Sequence, residues 1–211
     1  MHYDIHAALK EYYGYDAFRP GQEEVINEIL AGRPVLAVLP TGAGKSVCFQ
    51  LPALLKDGLT IVVSPLISLM KDQAENLSRR NIPAAFLNSS LNNNEYGKIL
   101  YDTLQGKYKF LYVSPERLSN EKFRQFAQKA NIKFVAVDEA HCVSQWGRSF
   151  REEYHAIPEF LKSLPSYPQV AAFTASATEE VRRDICYRLG IIGAKVFVTG
   201  FDRPNLSFMV K

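Results

Sequence analysis

The sequence has no long apolar run and few cysteines, and each shortage excludes a class of protein. Its longest apolar stretches are only of strand length, and Asp4 and Glu11 interrupt the N-terminal stretch, which therefore lacks the apolar core of a secretory signal. Its 3 cysteines lie far apart and form neither a disulfide framework nor a zinc-binding pattern. We therefore expect a cytoplasmic protein, without membrane association, whose thiols are reduced.

The sequence also has little net charge, at +3. This value is too small to indicate a nucleic-acid-binding protein by itself, so any such role depends on local clusters of arginine. Arg79-Arg80, Arg182-Arg183 and residues 148–151 are such clusters, and each is also compatible with a solvated helix end or turn. A length of 211 residues with 47% hydrophobic and 22% charged residues is typical of one globular domain with a substantial core.

Short runs of β-forming residues alternate with helical patterns from Pro34 onward. This alternation is typical of an α/β fold, a largely parallel sheet flanked by helices on both faces. The predicted strands are residues 35–39, 60–64, 84–88, 110–114, 134–138, 170–174 and 196–199. The predicted helices are residues 22–31, 45–55, 67–80, 93–105, 120–130, 154–163 and 179–189. Since polar segments directly follow several strands, we expect them to meet at one edge of the sheet.

Residues 39–46 read Leu-Pro-Thr-Gly-Ala-Gly-Lys-Ser and lie between a predicted strand and a predicted helix. Small residues here let backbone N–H groups turn toward an anion, while Lys45 reaches the outer phosphates and the Ser46 hydroxyl binds magnesium. The strict motif begins with Gly where this chain has Leu39, and the alternative is a glycine turn that happens to end in Lys-Ser. We predict a nucleoside triphosphate site with magnesium, whose contacts are Thr41, Gly42, Ala43, Gly44, Lys45 and Ser46.

A second motif, Asp-Glu-Ala-His at residues 138–141, follows the buried-strand pattern of residues 133–137. Ligands bind at the carboxyl ends of strands in open α/β sheets, so this position suits chemistry on a phosphate. Asp138 can hold magnesium through water, and Glu139 can orient or deprotonate the attacking water. An isolated acidic pair is more often a solvated turn, but the phosphate loop favours the functional interpretation. The predicted catalytic residues are Lys45, Asp138, Glu139 and His141.

A series of motifs in the same order resembles those of the RecQ DNA helicases of helicase superfamily 2, over nearly the whole chain. The motifs are Gly14-Tyr15 with residues 18–22, the phosphate loop 39–46, and residues 64–73, 138–147, 174–178 and 201–205. The resemblance implies a RecA-like P-loop NTPase domain over residues 1–200 that uses ATP and Mg²⁺. It also implies that residues 201–211 begin a linker to a second RecA-like domain.

In that family the N-terminal motif, here within residues 1–31, holds the adenine. Tyr15 offers a ring face for stacking, Arg19 a planar cation, and Gln22 an amide able to pair with the adenine edge. Without the resemblance we would prefer a core role for Tyr15, a solvated Arg19 and a Gln22 that caps its helix. With it, we expect all three to be cofactor-binding residues, of which Gln22 selects ATP.

The segment 141–154 resembles the aromatic-rich loop that couples single-stranded DNA to hydrolysis in that family. Trp146 and Phe150 supply stacking surfaces and Arg151 a phosphate contact, although an isolated Trp and Phe in a loop are more often core anchors. The predicted DNA-binding or coupling residues are Gln145, Trp146, Phe150, Arg151, Thr174 and Ser176.

Some residues differ from the usual motif sequences of the family. Arg148-Ser149 stands where His-Asp is common, so this pair neither titrates near neutral pH nor supplies a carboxylate. Glu152 stands where proline is common, and Ser176 where threonine is common. We expect the first two changes to alter how strongly DNA binding couples to hydrolysis, and the last to be mild.

The resemblance implies the N-terminal motor domain of an ATP-dependent 3′-to-5′ DNA helicase that unwinds DNA in repair and recombination. Its expected partners are single-stranded and partly duplex DNA and a second RecA-like domain that supplies arginines to the transition state. Since no second such domain fits within 211 residues, we expect the fragment to bind nucleotide but not to unwind DNA alone. The alternatives are an RNA helicase of the same superfamily, a nucleic-acid-binding switch that only binds ATP, and a small-molecule kinase.

Overall fold

The computed structural model describes residues 3–88, 90–146 and 150–199. The strands in this part of the chain are β1 (Val35–Val38), β2 (Leu59–Val63), β3 (Ala84–Leu87), β4 (Phe110–Val113), β5 (Ile132–Val137), β6 (Gln169–Thr174) and β7 (Lys195–Val198). The α-helices are α1 (Ile5–Tyr13), α2 (Gln22–Leu30), α3 (Lys45–Leu55), α4 (Ile67–Arg79), α5 (Asn93–Leu104), α6 (Glu121–Ala127), α7 (Ala156–Ser163) and α8 (Glu179–Arg188). Short 3₁₀ helices cover Pro115–Ser119, Ala140–Val143 and Glu152–His155. The predicted linker at residues 201–211 and the Arg148-Ser149 pair lie outside the described residues.

The strands form one sheet in the order β3-β4-β2-β5-β6-β1-β7. Every pair of neighbours is parallel, which confirms the predicted α/β fold. The segments that follow the strands therefore all lie at one edge of the sheet, the carboxyl edge. None of the helices in the described part of the chain is both long and apolar enough to span a membrane.

The predicted strands are confirmed, with ends that differ by at most two residues. Two predicted helices differ from the prediction by more than one residue at an end. The helix predicted over residues 120–130 is α6, which ends at Ala127, and Asn120 is its N-cap, accepting from the Phe123 N–H at 3.2 Å. The helix predicted over residues 154–163 starts as a 3₁₀ turn and becomes α-helical at Ala156. Such shifts are usual because local pattern specifies helix ends poorly.

Helix α1 was not predicted. Its first turn is capped by the Asp4 side chain, which accepts from the Ala7 N–H at 2.9 Å, and the left-handed Gly14 ends it. Its buried face packs on α2 and α3 through a small apolar cluster that includes Ile5, Leu9 and Tyr13. The helix is short and becomes stable through this packing, which explains why local pattern alone did not indicate it.

Alternate strand residues pack against helices on opposite faces of the sheet. In β1, Leu36 belongs to the core beneath α5–α8, while Val35 and Ala37 belong to the core beneath α2–α4. Because side chains alternate along a strand, a parallel strand buried on both faces is apolar throughout, and β1 is buried at all four positions. The sheet is thus the middle layer of a three-layer fold.

The buried carboxylate of Glu28 ties three elements together near the amino edge of the sheet. The Arg33 side chain, from the turn before β1, donates to both carboxylate oxygens, and Lys195 Nζ of β7 donates at 3.3 Å. Glu28 itself lies in α2 and is 6% exposed. Hydrogen bonds from Arg33, and then from Lys195, lower the pKa of Glu28 to about 2.

The contacts of Glu28 with Arg33 and Lys195 make the stability of the fold depend on pH in the acidic range. The native state favours the ionised Glu28, so its stabilising effect is complete above the ordinary pKa near 4.5 and disappears as the pH falls toward about 2. We expect Glu28→Gln to lower the melting temperature by several degrees at pH 7, with a difference from the wild type that shrinks as the pH falls below 4.5. Melting curves from pH 7 to pH 3 test this.

The matched control is Glu24→Gln, which neutralises an exposed carboxylate of the same helix. It should leave the melting temperature within about a degree of the wild type, since isolated surface substitutions change stability by ~0.5 kcal/mol or less. A Glu28→Gln difference that stayed constant across this pH range would contradict the ionic role of Glu28.

Candidate active site

A cavity of about 640 Å³ opens at the carboxyl edge of the sheet. Its walls come from the segment between α1 and α2, the loop between β1 and α3, helix α4, and the residues that follow β5. The predicted site residues that line it are Tyr15, Arg19, Gln22, Thr41, Gly42, Gly44, Lys45, Ser46, Asp138 and Glu139. Ala43 packs against the core beside them. The fold therefore brings the predicted nucleotide contacts and the acidic pair to one cavity.

The loop from β1 to α3 has the backbone of an anion-binding nest. Gly42 and Gly44 both adopt left-handed conformations, at φ 84° and 80°, which side chains disfavour. Gly44 is the N-cap of α3, and no side chain caps this helix, so its N-terminal dipole faces the cavity without a competing partner. Lys45 Nζ lies 3.4 Å from the Leu39 carbonyl oxygen, within reach of the same space. These donors fit a chain of phosphates.

The N-terminal segment is hydrogen-bonded directly to this loop. Gln22 Oε1 accepts from the Arg19 N–H at 2.9 Å, and its Nε2 donates to the carbonyls of Ala43 and Gly44, each at 3.1 Å. The Arg19 guanidinium donates to the Gly42 carbonyl. A side chain on Gly44 would collide with Gln22 Nε2, so the glycine is needed for this contact. Gln22 thus holds the phosphate loop with the same amide that was predicted to pair with adenine.

Tyr15 presents an aromatic face at the entrance of the cavity. Its side chain is 48% exposed, which excludes the alternative of a core tyrosine. Its ring stacks on Tyr13, with 6.4 Å between ring centroids and 16° between planes. A planar ligand can therefore bind over the Tyr15 ring, which is packed against the Tyr13 ring.

Asp138 and Glu139 occupy the position directly after β5. The Asp138 N–H donates to the Val63 carbonyl at 2.8 Å, and its own carbonyl accepts from the Tyr154 hydroxyl at 2.9 Å. Burial, and then repulsion from Glu139, raises the pKa of Asp138 to about 6. Glu139 adopts a left-handed backbone at φ 48°, which is costly for a residue with a side chain and is common at functional sites.

The donor set fits a magnesium ion that is shared with a ligand. Within residues 3–88, 90–146 and 150–199, no cluster of three or more His, Cys, Asp or Glu side chains could enclose a metal ion. Mg²⁺ commonly takes only one or two protein ligands and completes its shell with phosphates and water. Ser46 and Asp138, which both line the cavity, are the side chains that suit this role.

His141 connects the acidic motif to β6. The Thr174 hydroxyl donates to the Ser176 carbonyl at 3.2 Å, so it accepts from His141 Nδ1, which lies 2.9 Å away. The same Nδ1 lies 3.3 Å from a carboxylate oxygen of Glu139. The neighbouring Cys142 sulfur and the Glu139 carboxylate raise the pKa of His141 to about 9. Thr174 is fully buried, so of its two predicted roles only coupling suits it, whereas Ser176 is exposed.

Ser144, near the start of the predicted DNA-binding loop, is held in place by hydrogen bonds. Ser144 Oγ donates to Asp184 of α8 at 2.7 Å and accepts from the Trp146 N–H at 3.3 Å. Asp184 is held in turn by Arg188 Nε at 2.9 Å. The Trp146 side chain is 68% exposed, so the alternative of a core anchor does not apply. An exposed tryptophan on a fixed base is suited to stacking on a nucleobase.

The other predicted loop residues share this surface to different degrees. Gln145 and Arg151 are exposed, and the Arg151 N–H donates to the Cys142 carbonyl at 3.1 Å. Phe150 is partly buried and packs edge-on against His155, with 5.2 Å between ring centroids.

The two arginine pairs make contacts within the molecule. Arg79 lies 3.7 Å from Glu75, and Arg80 Nη1 donates to the Tyr12 carbonyl at 3.0 Å. Arg183 pairs with Glu179. These contacts favour the structural interpretation for Arg79, Arg80 and Arg183.

Sequence reasoning gave no role to three residues that support the site. Tyr154 fixes the backbone of Asp138, and Asp184 anchors Ser144. Gln73 of α4 lines the cavity, and its Oε1 is buried without a hydrogen-bond partner in the described part of the chain. Gln73 and Tyr154 had a usable signal, because they end the segments 64–73 and 141–154, whereas Asp184 had none.

Comparison with known proteins agrees with this geometry. The family model for DEAD/DEAH box helicases matches residues 19–184. The chain is 46% identical over 203 residues to the ATP-dependent DNA helicase RecQ of Bacillus subtilis (strain 168), covering 96% of this chain and 34% of that protein. It is 44% identical over 205 residues to the RecQ of Haemophilus influenzae, covering 97% and 33%. The chain thus spans about a third of the length of these curated relatives.

A solved structure agrees with the fold. The Hef helicase domain of Pyrococcus furiosus superposes with a TM-score of 0.67 at 24% identity, covering 89% of this chain and 38% of that chain. At this identity the likeness concerns the fold alone, and it confirms the predicted RecA-like fold. The resemblance to RecQ helicases is confirmed by the identities above. Because the family model spans most of its length, the chain belongs to the DEAD/DEAH box helicase family.

Proposed function

We propose that residues 1–200 are the first RecA-like motor domain of a longer ATP-dependent 3′-to-5′ DNA helicase, which acts on DNA in repair and recombination. The observation that carries this proposal is a path of polar contacts, an ion pair between Glu139 and His141 and a hydrogen bond between His141 and Thr174. The Trp146 loop follows His141 a few residues later in the chain. The relatives named as DNA helicases support it, although the chain covers only about a third of them.

In this proposal the chain binds ATP at the cavity. The left-handed glycines of the phosphate loop and Lys45 hold the phosphates, while Tyr15 stacks on the adenine. Arg19 and Gln22 join the base side of the site to the loop. Mg²⁺, held by Ser46 and Asp138, would neutralise charge on the phosphates.

Glu139 orients the attacking water and accepts its proton. The interaction with His141, and then the charge of Lys45, outweigh the opposing effect of burial and hold the pKa of Glu139 below its ordinary value, so the carboxylate is ionised at neutral pH. His141 also bonds to Thr174, and Thr174 to the backbone of Ser176. A shift of the DNA-binding loop can thus reach the water-orienting carboxylate through a few hydrogen bonds.

The DNA site is the surface around Trp146 and Arg151. Stacking by an indole and charge from a guanidinium suit a single strand of any sequence. In this proposal, residues 201–211 lead to a second RecA-like domain, whose arginines stabilise charge in the transition state.

The first test is nucleotide binding. We expect the 211-residue chain to bind Mg-ATP, and Lys45→Ala to weaken it by about 10- to 100-fold, because a charge-assisted phosphate contact is lost. Isothermal titration calorimetry measures both affinities. Lys162→Ala, which removes an exposed lysine of α7, is the matched control and should leave binding unchanged. Equal affinities of the wild type and Lys45→Ala would refute the assignment of the loop.

The second test is DNA binding. Trp146→Ala should weaken single-stranded DNA binding by about tenfold, since a stacked base contributes ~1–3 kcal/mol. Fluorescence anisotropy with a labelled oligonucleotide at fixed salt measures this. Tyr187→Ala removes an equally exposed aromatic ring of α8 and should have no effect. Preference for RNA over DNA of the same sequence would support the RNA-helicase alternative instead.

The third test is unwinding. The chain alone should bind Mg-ATP yet fail to separate a 3′-tailed duplex, because the arginines of a second domain are needed for rapid hydrolysis. A strand-displacement assay checks this, and Glu139→Gln controls for a contaminating helicase. Robust unwinding by the chain that Glu139→Gln abolishes would show that no second domain is required.

A further inference from the structure

Three polar side chains form a hydrogen-bonded chain between the small apolar cluster around α1 and the apolar core beneath α2–α4. The Tyr13 hydroxyl donates to Gln50 Oε1 at 3.0 Å, and Gln50 Nε2 donates to the Tyr112 hydroxyl at 2.8 Å. The three side chains are buried, at 8%, 5% and 0% exposure in the same order. Buried polar groups destabilise a core unless they are paired, and when paired they hold one geometry.

The residues come from the elements that build the nucleotide site. Tyr13 is the last residue of α1, just before the segment that carries Tyr15. Gln50 lies in α3, the helix that begins at the phosphate loop, and Tyr112 lies in β4 of the sheet. The chain of hydrogen bonds thus joins the base side of the cavity to the phosphate side and to the sheet.

The Tyr13 ring also supports Tyr15 directly. Gly14, left-handed at φ 73°, turns the chain so that the ring of Tyr15 returns beside that of Tyr13 in a stacked arrangement. Arg80 of the α4 C-terminus lies 5.3 Å from the centre of the Tyr13 ring and donates to the Tyr12 carbonyl. Tyr13 is therefore held by its hydroxyl and its ring, and Tyr15 lies against it.

We propose that Tyr13 is a positioning residue for base recognition, which holds the Tyr15 ring at a set distance from the phosphate loop through the Tyr13–Gln50 hydrogen bond. This inference rests on the proposed function, since it assumes that Tyr15 stacks on the base of the nucleotide. Tyr13 acts through Tyr15 and does not touch the ligand. Its effect is therefore confined to ligands that carry a base.

The test compares ATP with tripolyphosphate, which has the phosphates but no base. Tyr13→Phe keeps the ring and removes the hydroxyl, leaving Gln50 Oε1 unpaired. We expect it to weaken ATP binding by about three- to tenfold, the range expected for one ring-stacking contact. Tripolyphosphate binding, measured by calorimetry at the same Mg²⁺ concentration, should be unchanged.

Matched variants separate positioning from a general loss of stability. Tyr96→Phe removes a buried tyrosine hydroxyl on the opposite face of the sheet, one without a hydrogen-bond partner among the described residues, and should change neither affinity. Tyr112→Phe removes the far end of the network and should weaken ATP binding selectively as well. If a thermal melt shows that Tyr13→Phe does not fold, Tyr112→Phe provides the same test.

The outcomes distinguish this inference from the function on which it rests. An equal loss for ATP and tripolyphosphate in Tyr13→Phe, or no loss for either, overturns the positioning role while the ATP site stands. A wild-type chain that binds ATP no more tightly than tripolyphosphate has no base subsite, which refutes the adenine assignment itself. A selective loss for ATP supports the inference.

Discussion

Parallel pairing of all seven strands is the constraint on which the rest of this structure depends. Because the strands point the same way, the segments after β1, β5 and β6 meet at one edge. β6 lies between the other two, and Thr174 at its end contacts both sides. Its backbone carbonyl accepts from the Leu39 N–H at 3.0 Å, and its hydroxyl accepts from His141. Thr174 of the middle strand therefore fixes the position of the phosphate loop relative to the acidic motif.

The N-terminal segment adds the wall that the sheet does not supply. Helices α1 and α2 lie outside the sheet. The hydrogen bonds from Arg19 and Gln22 to the phosphate loop all go to its carbonyl oxygens. Backbone carbonyls remain available whatever side chains the loop carries, so this contact requires little of the loop beyond a glycine at position 44. The N-terminal segment and the loop between β1 and α3 are thus joined by hydrogen bonds.

The pKa values of the two carboxyl groups in the cavity, those of Asp138 and Glu139, depend on burial and on the charges beside them. Asp138 has little solvent around it and lies beside a second carboxylate, so its ionised form is disfavoured until a cation approaches. Glu139 differs because its carboxylate lies 3.3 Å from His141 Nδ1, and each of the two favours the charged form of the other. The pKa values of two neighbouring carboxylates are therefore shifted in opposite directions, upward for Asp138 and downward for Glu139.

Local sequence determined the strands, most helices, the phosphate loop and the acidic motif, because continuous apolar runs, helical patterns, left-handed glycines and strand-end carboxylates are specified by near neighbours. These sufficed to predict the fold class and most residues that line the cavity. Tertiary structure alone decided that α1 forms, that Gln22 holds the loop, that Thr174 bonds to His141, and that Tyr13 reaches Gln50. Each of these depends on groups that are distant in sequence and become neighbours only when helices pack on the sheet, which no local pattern specifies.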